Sequence, residues 1–312
     1  MRTMYQINQE ALAALENLEY AKAQSLFLKN AKKFPCHETF HNWGFFLITE
    51  GLQCRNGVRD ATLLGWEYLR KADQMKKSAL TALAITCAID LGASHISKRY
   101  PQQCTAKYAF ETLSWACQLY KNDILEYNRL RFWYYVDPQN IRLQQKAEDL
   151  LISFQSRESI LLYLSVLCMR GDFNLCLDRM KQFDCYLETN DKLVLYYLCE
   201  KYELCAKLYA KLNKYSLLEA ESAMLIESLI YTNNLDDAKE YAERVSYERR
   251  EMLGNRQFQQ QWGNVLKHIE HSTPYRQKLI ASYQLPVPYI DVCCYYGCKR
   301  HHAKDPFAFS CM

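Results

Sequence analysis

Residues 37–41 read His-Glu-Thr-Phe-His. On a helix, two histidines four apart share one face and can hold zinc, while the glutamate between them polarises an attacking water. In that chemistry His37 and His41 are the first two ligands of a zinc-dependent hydrolase and Glu38 is its base. A third ligand is needed. The longer zinc pattern His-Glu-x-x-His-x-x-Gly-x-x-His holds through Gly44, then places Leu47 where the third histidine belongs. Glu67 is a permitted substitute. Pro35 lies two residues before His37, so the motif occupies the first turn of a helix rather than its middle. The sequence also offers no strand against which such an enzyme would hold its substrate. A non-catalytic metal site is a further use of the same residues. So is a plain helix start, with Glu38 complementing the helix dipole and Trp43, Phe46 and Leu47 packing inward. The packed or groove-lining helix is preferred, and no enzyme is expected.

A second constellation closes the chain: "LPVPYIDVCCYYGCKRHHAKDPFAFSCM". Pro286 and Pro288 force an extended passage. Cys294, Cys298 and either His301 or His302 could then converge on zinc, with Cys293 or Cys311 as the fourth ligand. There is no Cys-x-x-Cys, so the spacing does not specify a common zinc module. Three other uses remain open. The segment could occupy a groove with Tyr289, Tyr295, Tyr296 and Phe307 as anchors. Its thiols could sense redox state, since Lys299, Arg300 and the histidines favour thiolate at Cys298. It could also be an ordinary packed terminus. No cofactor is expected beyond this possible zinc.

Phosphate-binding glycine loops and the Gly-x-Ser-x-Gly elbow are absent from the sequence. Lys207, Lys211 and Lys214 share a face near Tyr202 and Tyr209, which suits an acidic peptide or a phosphate backbone. Glu200 and Glu203 dilute that face, so solvation explains it too. "RLRFWYYVDP" at 129–138 suits either a binding hot spot or a helix buried between neighbours.

The elements that must position these residues are helices. Nine glycines and seven prolines in 312 residues are too few for the turns of many short strands. Apolar residues recur at three- and four-residue spacing. They predict helices over 5–17, 20–34, 37–51, 59–77, 79–92, 102–120, 122–135, 139–155, 158–170, 172–187, 190–212, 215–232, 235–252 and 256–271. Of fourteen cysteines, the ten outside the tail mostly fall at apolar positions and read as reduced core residues.

Several helix pairs carry one pattern. In "NLEYAKAQSLFLKNAKKFP" Ala23 is the small residue at a helix crossing, Phe27 follows, and Pro35 closes the unit. Gly171-Asp172-Phe173 with Cys176 and Met180, and Asn234-Leu235 with Ala238 and Ala242, repeat it. Trp43-Gly44 stands in mid-helix. The pattern resembles the tetratricopeptide repeat, a helix–turn–helix unit of about 34 residues. The resemblance weakens over 52–157, and Leu164 and Ile226 stand where the repeat prefers a small residue. It implies an all-α fold, a right-handed α-solenoid of antiparallel helix pairs over 1–272, followed by a Pro/Cys-rich tail over 273–312. It also implies a concave groove lined by His41, Phe45, Ile48 and Thr49, and a protein- or peptide-binding scaffold.

Two rival functions remain: a peptide-responsive bacterial regulator without an evident DNA-binding module, and the zinc hydrolase. Net charge is +4, from 39 basic and 35 acidic residues interspersed. That balance makes nucleic acid an unlikely partner. The uncharged stretch from Ser78 to Ile89 is shorter than the roughly 20 residues a membrane helix needs. With no apolar leader in MRTMYQINQE, the expected location is the cytoplasm.

Overall fold

The structure, a computed structural model, describes residues 2–53, 60–212, 217, 219–244 and 287–298. Among them every regular element is a helix and none is a strand. The chain divides into two compact units, Met1–Asp137 with Pro288–Met312, and Pro138–Val287.

The first unit contains α1 (Met4–Glu16), α2 (Tyr20–Lys33), α3 (His37–Thr49), α4 (Ala61–Met75), α5 (Ala79–Ile96), α6 (Ala106–Leu119) and α7 (Asp123–Val136). Their starts are written in the sequence. Thr3 and Gln6 form a reciprocal capping box, and Ser78, Thr105 and Asn122 each accept a backbone N–H of the helix they precede. Consecutive helices pack on one another, and α3 also touches α5. The closest crossing joins α3 to α4 through two glycines. A Cβ on Gly44 would stand 2.8 Å from the Gly65 carbonyl oxygen, and one on Gly65 would stand 2.7 Å from that of Gly44. Helix α5 has 18 residues and a mean hydropathy of 1.5, long and apolar enough to cross a membrane, yet 72% of it is buried within the fold.

The second unit contains α8 (Ile141–Ser153), α9 (Arg157–Arg170), α10 (Phe173–Gln182), a short 3₁₀ turn (Asp184–Tyr186), α11 (Thr189–Leu198), α12 (Tyr202–Leu208), α13 (Glu219–Tyr231) and helical residues 235–244. Gly171, at φ 80°, ends α9 in the left-handed conformation that only glycine adopts freely. Leu164 and Ile226 are both buried. As in the first unit, alternate helices meet: α9 touches α11, and α11 touches α13. The single helix expected over 190–212 is two. Glu200 takes a φ of 61°, and the chain turns there between α11 and α12.

Candidate functional site

Residues 288–298 lie extended across the first unit and touch its odd-numbered helices in turn. At α7, Tyr127 Oη donates to the Pro288 carbonyl at 2.6 Å. Asn128 then holds Ile290 by both main-chain groups. Its Nδ2 donates to the Ile290 carbonyl and its Oδ1 accepts the Ile290 N–H, each at 3.1 Å. At α5, the Tyr289 hydroxyl donates to the Leu83 carbonyl at 3.2 Å and is hydrogen-bonded to Thr86 at 3.1 Å. The Arg131 guanidinium lies 5.6 Å over the Tyr289 ring and pairs with Asp90 at 2.6 Å.

At α3, His41 Nε2 donates to the Cys294 carbonyl at 2.6 Å, while Nδ1 lies 3.1 Å from Thr81 Oγ1. A carbonyl only accepts, so the His41 proton sits on Nε2. Asn42 repeats the grip of Asn128 six residues further along the tail. It accepts the Tyr296 N–H at 2.8 Å and donates to the Tyr296 carbonyl at 3.0 Å. At α1, Asn8 donates to the same carbonyl at 2.8 Å, and Gln9 donates to that of Gly297 at 2.8 Å.

Between these main-chain contacts the tyrosines fill sockets. Tyr295 stacks on Phe27 at 5.5 Å and meets Phe45 edge-on at 4.9 Å, and its hydroxyl lies 3.3 Å from Thr49 Oγ1. The Tyr296 ring lies 4.5 Å from His41, and its hydroxyl is hydrogen-bonded to Ser78 Oγ at 2.5 Å. Burial pushes the hydroxyls of Tyr289 and Tyr295 well above the ordinary tyrosine value. Gly297 turns the chain at φ 77°, and the Cys298 N–H donates to the Tyr295 carbonyl at 3.3 Å. A cavity of about 850 Å³ beside the segment is lined by Leu12, Phe45, Cys87, Leu91, Cys293 and Cys298, among others.

Of the residues singled out from the sequence, His41, Phe45 and Thr49 therefore touch the tail directly. Ile48 is buried and packs toward Gly65 of α4. Lys207 and Lys211 are exposed in the second unit, in and just after α12, and Lys214 lies outside the described residues. Cys294 and Cys298 are both buried. The Cys298 thiol is hydrogen-bonded to that of Cys293, a contact that raises the Cys293 pKa, as does burial. His301, His302, Phe307 and Cys311 lie outside the described residues.

The zinc constellation is not assembled. His37 Nδ1 lies 2.9 Å from Glu38, Glu67 pairs with Arg99 at 2.9 Å, and both ring nitrogens of His41 are engaged. Burial lowers the His37 pKa against the opposing pull of Glu38. Among the described residues, the three metal-type donors that gather within 4.8 Å are instead Cys168, Cys176 and Cys199.

Sequence reasoning overlooked Asn42 and Asn128, the two residues that grip the tail most completely. A signal was present. Asn42 stands in the apolar run "HNWGFF", where a buried amide must have partners, whereas Asn128 in "EYNRLRF" is flanked by the part-buried Glu126 and Arg129 and carries a weaker sign. No family model matches the chain, and no curated protein matches it.

Proposed function

We propose that the chain is a tetratricopeptide-like binding scaffold whose first unit takes an extended peptide segment across α7, α5, α3 and α1. Its own C-terminal segment is a tethered occupant of that groove. The observation that carries this reading is the pair of asparagine grips, Asn128 on Ile290 and Asn42 on Tyr296. They recognise main chain, whatever side chain it bears, and so suit exchange of one extended segment for another. The aromatic sockets around Tyr295 and Tyr296 supply selectivity and bury apolar area. Adjacency of alternate helices supports solenoid-like stacking within each unit.

A labelled peptide of residues 287–298, titrated against the full chain, tests the proposal. Tyr295→Ala with Tyr296→Ala in the chain's own tail weakens the resident segment, so the added peptide should bind that variant more tightly than the wild type. Adding Asn42→Ala and Asn128→Ala should abolish the gain. No binding to the tail-weakened chain would refute the reading. A zinc hydrolase at His37, Glu38 and His41 is less well supported, because His41 spends both ring nitrogens on Thr81 and Cys294.

A further inference from the structure

Three elements of the second unit each bring one cysteine to a common point. Cys168 stands in the last turn of α9, Cys176 in α10, and Cys199 caps the C-terminus of α11. Cys168 Sγ lies 3.4 Å from Cys176 Sγ and 3.6 Å from Cys199 Sγ, and all three sulfurs fall within 4.8 Å of one another. The three residues are 7%, 0% and 2% exposed, so the cluster is closed to solvent.

Helix packing asks only for small side chains here. Buried alanines, Ala23 of α2 and Ala147 of α8, meet that need without sulfur. Packing does not require three sulfurs from separate elements to point at one another. As thiols they share hydrogen bonds. The Cys168 pKa is raised by its bonds to Cys176 and Cys199 and then by burial. At Cys176 the bond to Cys168 lowers the value, but the bond to Cys199 and burial outweigh it.

We propose that Cys168, Cys176 and Cys199 form a three-sulfur site for monovalent copper, Cu(I). Three thiolates bound at about 2.3 Å, a typical metal–thiolate length, would stand about 4 Å apart around a trigonal ion. The sulfurs need move only by tenths of an ångström to reach that spacing. A structural zinc wants four ligands, and no histidine, carboxylate or further cysteine joins this group among the described residues. Burial bars water from the fourth position. An all-sulfur, three-coordinate, dry site selects a soft ion, and Cu(I) is the biological cation of that character. Binding involves no redox change: each S–H that becomes a Cu–S bond gives its proton to buffer, and the copper enters already reduced.

The test is an anaerobic titration of the full chain with Cu(I) against a competing chromophoric chelator. The expected result is one copper withdrawn from the chelator per chain. That copper should be lost in Cys168→Ala, Cys176→Ala and Cys199→Ala, and kept in Cys293→Ala/Cys298→Ala. Alanine preserves the small packing volume, and circular dichroism checks that each variant is folded. Copper K-edge absorption of the loaded wild-type chain reads the site with no variant, and three sulfur neighbours are expected. Nitrogen or oxygen neighbours, a four-coordinate zinc bound in preference to copper, or undiminished copper in the three alanine variants would each overturn the assignment.

Discussion

An asparagine amide carries the same donor and acceptor as a peptide group, so one side chain can satisfy both polar groups of one residue. Asn42 and Asn128 do this for Tyr296 and Ile290. Asn128→Ala should leave buried tail groups unpaired and cost about 1–3 kcal/mol of docking free energy. Hydrogen exchange at the Ile290 amide should quicken roughly 5- to 140-fold, as about 1.4 kcal/mol is tenfold. Asn42→Asp should be no milder than Ala, since a carboxylate still accepts the Tyr296 N–H but faces its carbonyl with a second acceptor. Thiols report the same docking. Burial pushes Cys87 up to about 12, so that thiol should resist alkylation near neutral pH, whereas exposed Cys185 should react at once. Cys294 and Cys298 should react slowly in the wild type and quickly in Asn42→Ala/Asn128→Ala, read by mass spectrometry of the labelled peptides. His37 adds a pH dependence. Its folded pKa lies below the ordinary 6.5, so the unfolded chain binds the proton more readily. Its contribution to stability is complete above that value and declines as the pH falls below it. Between about pH 7.5 and pH 5.5 the wild type should therefore lose more melting temperature than His37→Asn.

At the scale of elements, the crossing of α3 and α4 depends on the absence of two side chains. Gly44→Ala would press a methyl within 2.8 Å of the Gly65 carbonyl oxygen and 2.9 Å of the Leu69 nitrogen, both backbone atoms. The expected cost is about 1–3 kcal/mol by urea denaturation. The opposite sign is expected at Leu18, which follows α1 with a φ of 59° and is 69% exposed. Leu18→Gly should relieve left-handed strain and stabilise the chain by up to about 1 kcal/mol in the same assay. Many helices were legible because apolar residues recur at helical spacing and several starts carry a Ser, Thr or Asn cap. The break at Glu200 was not, because no glycine, asparagine or proline marks it and the apolar period runs through the turn. The resemblance to the repeat singles out His41, Phe45, Ile48 and Thr49; His41, Phe45 and Thr49 lie against the tail, while Ile48 packs toward α4. Buried asparagines escape such a pattern, since an amide's role is decided by the main chain it meets. The meeting of Cys168, Cys176 and Cys199 was equally hidden, as it depends on helix packing that spacing alone does not give.

At the scale of the whole molecule, the proposed groove and its occupant would be joined by a covalent chain. A tethered ligand competes at an effective concentration set by the tether and not by expression level; a short flexible linker gives the order of millimolar. Against that value, an outside segment present at about micromolar would have to bind roughly a thousandfold more tightly than the tail to hold half of the grooves. Weakly binding, scarce sequences would be filtered out without any contact made against them. The threshold itself can be moved by a single substitution in the tail, such as Gly297→Ala at its left-handed turn.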